Sequence, residues 1–283
     1  MPRQDEPIVV HLVDGTYELF RHFYGARRGR QRDPEFAAVR GVLRTVLSML
    51  EDGATHVGVA TDHVIESFRN ELWPGYKTGA GVDPMLKAQF EPLELSLAAM
   101  GVAVWPMVEL EADDALAGAA RLAAGEQRVH KVCIWTPDKD LAQCVVGERV
   151  VQVDRRTSGI RDEAGVLEKF GVPPMRIPDY LALVGDSADG YPGIPGIGAV
   201  GARGLIRRHG AIEDFPAEVL GGRAELALLF KQLATLRTEP GPIRLAEELR
   251  WLGPDGSFDR LPASIADERL RGRVEQLAAA RAV

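Results

Sequence analysis

The sequence is poor in cysteine. Its two, Cys133 and Cys144, form no C-x-x-C pair and stand in no metal-ligand spacing, so both are expected to be reduced, buried and inert. Long apolar runs are also missing. No stretch approaches the ~18 apolar residues of a membrane helix, and the polar start Met1–Pro7 leads into a strand-like segment too short for a signal peptide. A soluble, cytoplasmic protein without membrane contact is the expectation. There is no low-complexity segment and no repeat of solenoid period. Nor is there an excess of basic charge: the net charge of -7 argues against a wholly basic nucleic-acid binder. Local patches, rather than the sum, decide such binding. At 283 residues the chain is long enough for one large domain, or for a domain with a smaller companion.

What the sequence does have is acids placed after apolar runs. Val104–Leu110 discharges into Glu111, Asp113 and Asp114 just where a helical pattern (Ala115, Leu116, Ala119, Leu122) begins. Three acids within four residues repel one another, and in a cleft their charged forms need protons or cations as compensation. A divalent metal is the simplest. The construction recurs: Ile8–Val13 ends in Asp14, Thr55–Thr61 in Asp62, and Val132–Trp135 leads through Thr136-Pro137 to Asp138 and Asp140. Short apolar runs alternating with helical patterns predict a parallel sheet with helices on both faces. In such sheets ligands sit outside the carboxyl ends of the strands, where these acids would converge. One Asp after a strand is usually only a helix cap or turn former, and a first-turn pair is favoured by the helix dipole. Four such runs in one chain ask for more.

Between these runs lie predicted helices at about 35–50, 84–100 and 163–170, and a further strand at 150–153. The cluster Arg27–Arg32 reads as a solvated loop or a phosphate contact. Ser67–Gly81, rich in helix breakers, aromatics and cations, reads as an active-site loop or as a surface connection anchored by Trp73. In the second half, Asp186 and Asp189 would share a face in a helical turn and complete a metal site. Residues 196–201 spell G-x-G-x-x-G, but no strand precedes them, so the dinucleotide fingerprint is rejected. Gly193, Gly196, Ile197, Gly198 and Gly201, followed by Arg203, Arg207 and Arg208, instead suggest two helices whose glycine turn grips a nucleic-acid backbone. The bland alternative is a mere turn.

The ordered set Val13-Asp14-Gly15, Asp62, Ser67-Phe-Arg69, Gly75-Tyr-Lys77, Glu111–Asp114, Thr136–Leu141 and Gly185–Gly193, followed by Gly196-Ile-Gly198, resembles the 5′-nuclease family. That family contains flap endonucleases and the 5′-to-3′ exonuclease domain of bacterial DNA polymerase I. The resemblance covers about residues 8–240. It implies a PIN-like α/β fold with a parallel sheet flanked by helices over 1–178, including a helical arch near 66–100. It also implies a C-terminal helix-hairpin-helix-like (H3TH) subdomain at 179–240, which in the family often binds K⁺, and leaves 241–283 as an extension without functional signal. The resemblance makes Asp14, Asp62, Glu111 and Asp113 ligands of a first ion. Asp138, Asp140, Asp186 and Asp189 would surround a second, with Asp114 assisting. Lys77 resembles the arch lysine that contacts the scissile phosphate, and Arg69 an arch-base arginine.

The implied activity is metal-dependent 5′-to-3′ exonuclease or flap-endonuclease cleavage of DNA in replication or repair. Oxygen ligands without Cys or His favour Mg²⁺ or Mn²⁺ over Zn²⁺. Three departures from the family pattern stand out: no arginine shortly after Lys77, Gly190 in place of a usual asparagine, and Pro195 in place of a lysine. The chain ends without a polymerase domain, as a stand-alone, monomeric nuclease would. A PIN-type ribonuclease and a non-catalytic DNA-binding scaffold are the alternatives. A haloacid-dehalogenase-type phosphatase is disfavoured by Thr16, which stands where its second Asp would be required.

Overall fold

The computed structural model describes residues 7–26, 35–157 and 159–282; the Arg27–Arg32 cluster lies outside these. Five of the six strands are parallel: β1 (Ile8–Asp14), β2 (His56–Asp62), β3 (Ala103–Met107), β4 (Val129–Trp135) and β5 (Val150–Asp154). The short β6 (Gly159–Arg161), which sequence patterning did not reveal, pairs antiparallel with β5. The sheet order is β3-β2-β1-β4-β5-β6. Strand order therefore reverses between β1 and β4, and a crevice opens beyond their carboxyl ends. β2 is buried on both faces, which explains why it reads as a continuous apolar run.

The helices are α1 (Gly15–Ala26), α2 (Ala37–Glu51), α3 (Arg69–Leu72), α4 (Pro84–Lys87), α5 (Phe90–Ala99), α6 (Ala112–Gly125), α7 (Glu163–Phe170), α8 (Ile177–Val184), α9 (Ala199–His209), α10 (Ala217–Leu220), α11 (Ala224–Ala234) and α12 (Glu268–Arg281). In α2, Val39, Val42, Leu43, Val46, Leu47 and Leu50 recur at helical spacing and are all buried. They join α5 and α12 in the core on one side of the sheet, while α6 packs in a second core with Val10, Leu12 and Ile134. Truncating a leucine such as Leu47 to alanine in such a core costs about 2–5 kcal/mol.

Three arrangements refine what the sequence suggested. Of the stretch near 66–100, α5 is a core helix with Phe90, Leu93 and Leu97 buried, and Val82 and Leu86 join the same core, so the part that stands clear of the sheet core is the loop 73–81. Gly101 separates α5 from β3 in the left-handed region (φ +84°), as a helix stop requires. A third cluster, built on α8, α9 and α11, already includes Val166, Phe170 and Val172, and it also takes in Tyr76 from the loop after α3. The tail is not an appendage either. Trp251 donates from its backbone to Thr55 O and from its ring to Met100 O, both at 2.8 Å, and Phe258, Ile265, Leu270 and Val274 complete the first core. Both cysteines are free thiols. Among the described residues no helix is long and apolar enough to cross a membrane.

Candidate metal centre

The acids converge as the strand ends dictate. Asp14, last residue of β1, caps the following helix by accepting the Tyr17 amide at Oδ1 (2.8 Å), while its Oδ2 accepts from Thr136 Oγ1 (3.0 Å) beyond β4. Asp62, last residue of β2, accepts the Ala112 amide at the start of α6 (2.8 Å), and its own amide donates to Thr16 Oγ1 (2.8 Å). The capping role and the site role are thus held by the same side chains. β3, by contrast, ends at Met107, so three residues separate it from Glu111, which caps α6 rather than ending a strand.

The Glu111 carboxylate is bonded through both oxygens. Ser67 Oγ donates to its Oε1 (2.6 Å), as does Arg69 Nη1 (3.0 Å), and its Oε2 receives Tyr76 OH (3.3 Å) and Lys77 Nζ (2.7 Å). Burial alone would raise its pKa, but Lys77 and Arg69 outweigh burial and hold it below the usual range. Lys77 also reaches Asp189 Oδ1 (3.1 Å), so one ammonium spans carboxylates from both halves of the chain.

The resemblance gives catalytic parts to Arg69, as arch-base arginine, and to Asp114, as assisting the second ion; the structure puts both inside the protein, each about 1 % exposed. Arg69 forks onto Asp114 through Nη1 and Nη2 (2.8 Å each) and donates from Nε to Leu233 O (2.8 Å). Asp114 also accepts the Glu111 and Arg237 amides (3.0 and 2.8 Å). With these partners the pair is occupied, and it joins the loop after β2, α6 and the segment after α11.

On the far side, Asp138 stands exposed at the mouth, its Oδ1 accepting the Asp140 amide (3.0 Å). Asp140, Asp186 and Asp189 offer oxygens within 4.8 Å of one another. The loop that carries the last two closes on itself: Asp186 N donates to Tyr191 O (2.8 Å), and Gly190 and Tyr191 donate back to Asp186 O. Gly190 (φ +83°) has Gly75 O where a Cβ would lie, and Lys77 N donates to Asp189 O (2.9 Å). A side chain larger than hydrogen at 190 would push the two loops apart, which accounts for the missing asparagine.

The electrostatics bind these groups into one cluster. Burial first, then Asp62 and Asp138, pushes Asp14 up to about 7. Burial together with Asp138 and Asp14 raises Asp113 well above the carboxylate range, and burial together with Asp138, Asp189 and Asp186 does the same for Asp140. Asp189 is pushed up to about 6, chiefly by burial and against the pull of Lys77. Asp62 is raised in the same way. Such shifts mean that the full set of charges is tolerated only beside cations.

Several residues without an assigned role orient this set: Thr16, Ser67, Tyr76 and Thr136 by the bonds above, and Lys139, whose Nζ lies 2.7 Å from Asp186 Oδ2. Hydroxyl residues two positions from Asp14 and Asp138, as Thr16 and Thr136 are, were the available signal.

The proposed nucleic-acid grip is only partly on the surface. Gly193 is buried (φ +71°) against Gly185 N, so it serves loop closure, and Ile197 packs against the third core. Arg203 donates from Nε to Phe170 O (2.6 Å), holding the end of α7. Gly196, Gly198 and Gly201 are exposed around the start of α9, and Arg207 and Arg208 are exposed in its last turn.

Comparison with known proteins agrees with this architecture. The family profile described as 5′-3′ exonuclease, N-terminal resolvase-like domain, matches residues 9–171, and that of the 5′-3′ exonuclease C-terminal SAM fold matches 172–256. The chain is 35% identical to DNA polymerase I of Pseudomonas aeruginosa over 250 residues, which cover 81% of this chain but 27% of that protein. It is 31% identical to the 5′-3′ exonuclease of Aquifex aeolicus over 256 residues, covering 87% of this chain and 88% of that one. Among solved structures it resembles the bacteriophage T5 flap endonuclease in a pseudo-enzyme-product complex with DNA and metal ions (TM-score 0.67, 19% identity, 96% and 98% coverage). With both profiles matched in order and the Aquifex protein matched nearly end to end, the chain belongs to the 5′-3′ exonuclease family of nucleases.

Proposed function

We propose that this chain hydrolyses DNA phosphodiester bonds from a 5′ end or at a 5′ flap, acting as a monomer with two divalent ions. In this reading Asp14, Asp62, Glu111 and Asp113 hold one ion, and Asp138, Asp140, Asp186 and Asp189 surround the other. The observation that carries it is Asp140 Oδ1, buried without a hydrogen-bond partner and clustered with Asp186 and Asp189. Buried polar atoms are almost always satisfied, so an orphaned carboxylate oxygen among other acids fits a cation. All-oxygen donors suit Mg²⁺ or Mn²⁺.

Such ions supply Lewis-acid stabilisation to the attacking and departing oxygens of an in-line displacement. The chain's own groups do the rest. Lys77, already bridging Glu111 and Asp189, offsets negative charge on the scissile phosphate. Arg69 and Asp114 act as positioning residues, since their bonds fix Glu111 at the head of α6. Gly196, Gly198 and Gly201 offer close backbone approach to phosphates, and Arg207 and Arg208 add exposed charge. Potassium at this turn would be held by backbone carbonyls, among which that of Pro195 already accepts Arg223 Nη1 at 2.7 Å.

A labelled duplex with a 5′ flap, incubated with and without Mg²⁺, tests the reading. Ion-dependent release of products with 5′-phosphate and 3′-hydroxyl ends is expected. Retained DNA binding with no cutting in Mg²⁺ or Mn²⁺ would reject it for a scaffold, and preferential cutting of single-stranded RNA would reject it for a ribonuclease.

A further inference from the structure

Two ammonium groups reach into the acidic cluster, and they are tied differently. Lys77 Nζ bridges Glu111 Oε2 (2.7 Å) and Asp189 Oδ1 (3.1 Å), so losing one carboxylate still leaves it the other. Among the described residues Lys139 Nζ has one partner, Asp186 Oδ2 at 2.7 Å. The Asp186 side chain is 2 % exposed, whereas that of Lys139 is 34 % exposed and borders a cleft of about 440 Å³ together with Gly185, Ser187 and Gly190. Asp186 Oδ1 already accepts the Ala188 amide (2.9 Å), so Oδ2 is the oxygen that the turn leaves open, and the ammonium covers it. The same carboxylate offers an oxygen within 4.8 Å of those of Asp140 and Asp189. Lys139 thus neutralises an acid of the proposed ion site from the solvent side, on a single tether.

Resting on the two-ion reading, we propose that Lys139 is an ion-gated phosphate contact: its ammonium gives up Asp186 when a divalent ion binds at Asp140, Asp186 and Asp189, and it then binds a backbone phosphate of a DNA strand in the adjoining cleft. Asp186 Oδ2 is a hard oxygen and favours a divalent ion over a monovalent ammonium. Once released, the lysine is a point charge on a flexible stem, which suits a phosphate. Ser187, exposed on the same cleft, adds a hydroxyl, and Gly185 and Gly190 leave the backbone open to close approach. The two ligands are thereby coupled. Without ions the ammonium is spent inside the protein and DNA gains nothing from it; with ions it joins the grip, and by linkage DNA tightens ion binding in return.

The test uses the full chain, as wild type and as Lys139→Met, and a duplex with a 5′ flap. Binding is followed by fluorescence anisotropy over a range of salt, in EDTA and in Ca²⁺, with gels confirming that the duplex stays whole. In Ca²⁺ the variant is expected to lose about 1 from the log–log salt slope, as one phosphate contact fewer requires. In EDTA its slope should match the wild type. Calorimetry with Mn²⁺ alone should show the variant binding ions at least as tightly as the wild type, a competitor having gone. Asp186→Asn unties the ammonium and should steepen the slope in EDTA by about 1; adding Lys139→Met should cancel that gain. The double variant leaves no buried charge unpaired at this contact, so the answer does not depend on the folding of Lys139→Met alone. A slope lost equally in EDTA and Ca²⁺ would show a contact that no ion gates, and no loss in either would show only a partner of Asp186. Either result would overturn the proposal and leave the two-ion reading intact. Weaker Mn²⁺ binding by Lys139→Met would overturn it as well, since the lysine would then support Asp186 rather than compete for it. A wild-type chain that binds no divalent ion in calorimetry would sink both.

Discussion

On the sheet side of the acidic cleft, Asp14, Asp62 and Glu111 are each anchored by amides, hydroxyls or cations from neighbouring elements. On the loop side, Asp140 keeps a bare oxygen, and the Asp186–Tyr191 loop leans on Lys77, Lys139 and its own backbone. The first side is set by the fold before anything binds. The second keeps a buried carboxylate oxygen that no described residue satisfies. Rigid strand ends can impose charge on charge because the sheet core supports them, whereas a turn must have its repulsion relieved locally.

The sharpest way to break this contrast is at Asp138, whose charge raises both Asp113 and Asp140 and so belongs to both sides. Asp138→Asn is expected to lower cleavage roughly 10³-fold or more, on the scale of several kcal/mol of transition-state stabilisation. Fold and DNA binding should survive, since a repulsion is removed; wild-type cutting rates in Mg²⁺ would contradict the assignment. The sheet side can be broken at its support instead. Arg69→Met leaves Asp114 and Glu111 buried beside a lost cation and is expected to cost about 3–5 kcal/mol in denaturant unfolding. A change below about 1 kcal/mol would mean that the buried network does little.

The pH dependence sharpens the role of cations on both sides. With Asp14 near 7 and Asp189 near 6, the folded state binds more protons than the unfolded one, whose aspartates titrate near 4. This contribution to stability is therefore full below pH 4 and is lost as pH rises to about 7, by an amount on the order of a few kcal/mol. In EDTA, melting temperature at pH 8 should gain markedly on adding Mg²⁺, and a flat response would argue that the cluster holds no ion. The mildest expected effect lies outside the cleft. Replacing Arg207 and Arg208 by alanine should weaken duplex binding and flatten its log–log salt slope by about 1 per arginine. An unchanged slope would remove that patch from the interface.

Much of the acidic cluster was legible because the strands deliver it. An apolar run ending in Asp at 14 and at 62 states both the strand and the place where its carboxylate emerges, and the Asp138/Asp140 pair followed the same logic, whereas Asp186 and Asp189 were legible from their spacing alone and lie in a turn after α8. The H-x-H style of metal spacing was absent, and oxygen ligands alone carried the pattern. The burial of Arg69 was not legible, because a cation near acids looks the same in sequence whether it faces a cleft or a core. Nor was the partner of Arg203: spacing along α9 does not reveal that Phe170 O lies within its reach.

By itself the sequence determined the parallel sheet, the family and which acids end up at one edge, because these follow from local periodicity and from strand direction. Tertiary structure decided which groups are satisfied and which are left wanting. Whether the ammonium of Lys139 meets Asp186, whether Gly190 must be glycine and whether the tail 241–283 joins the first core all depend on surfaces brought together from distant parts of the chain. Pairwise distance and burial set those outcomes, and neither is written in the order of residues.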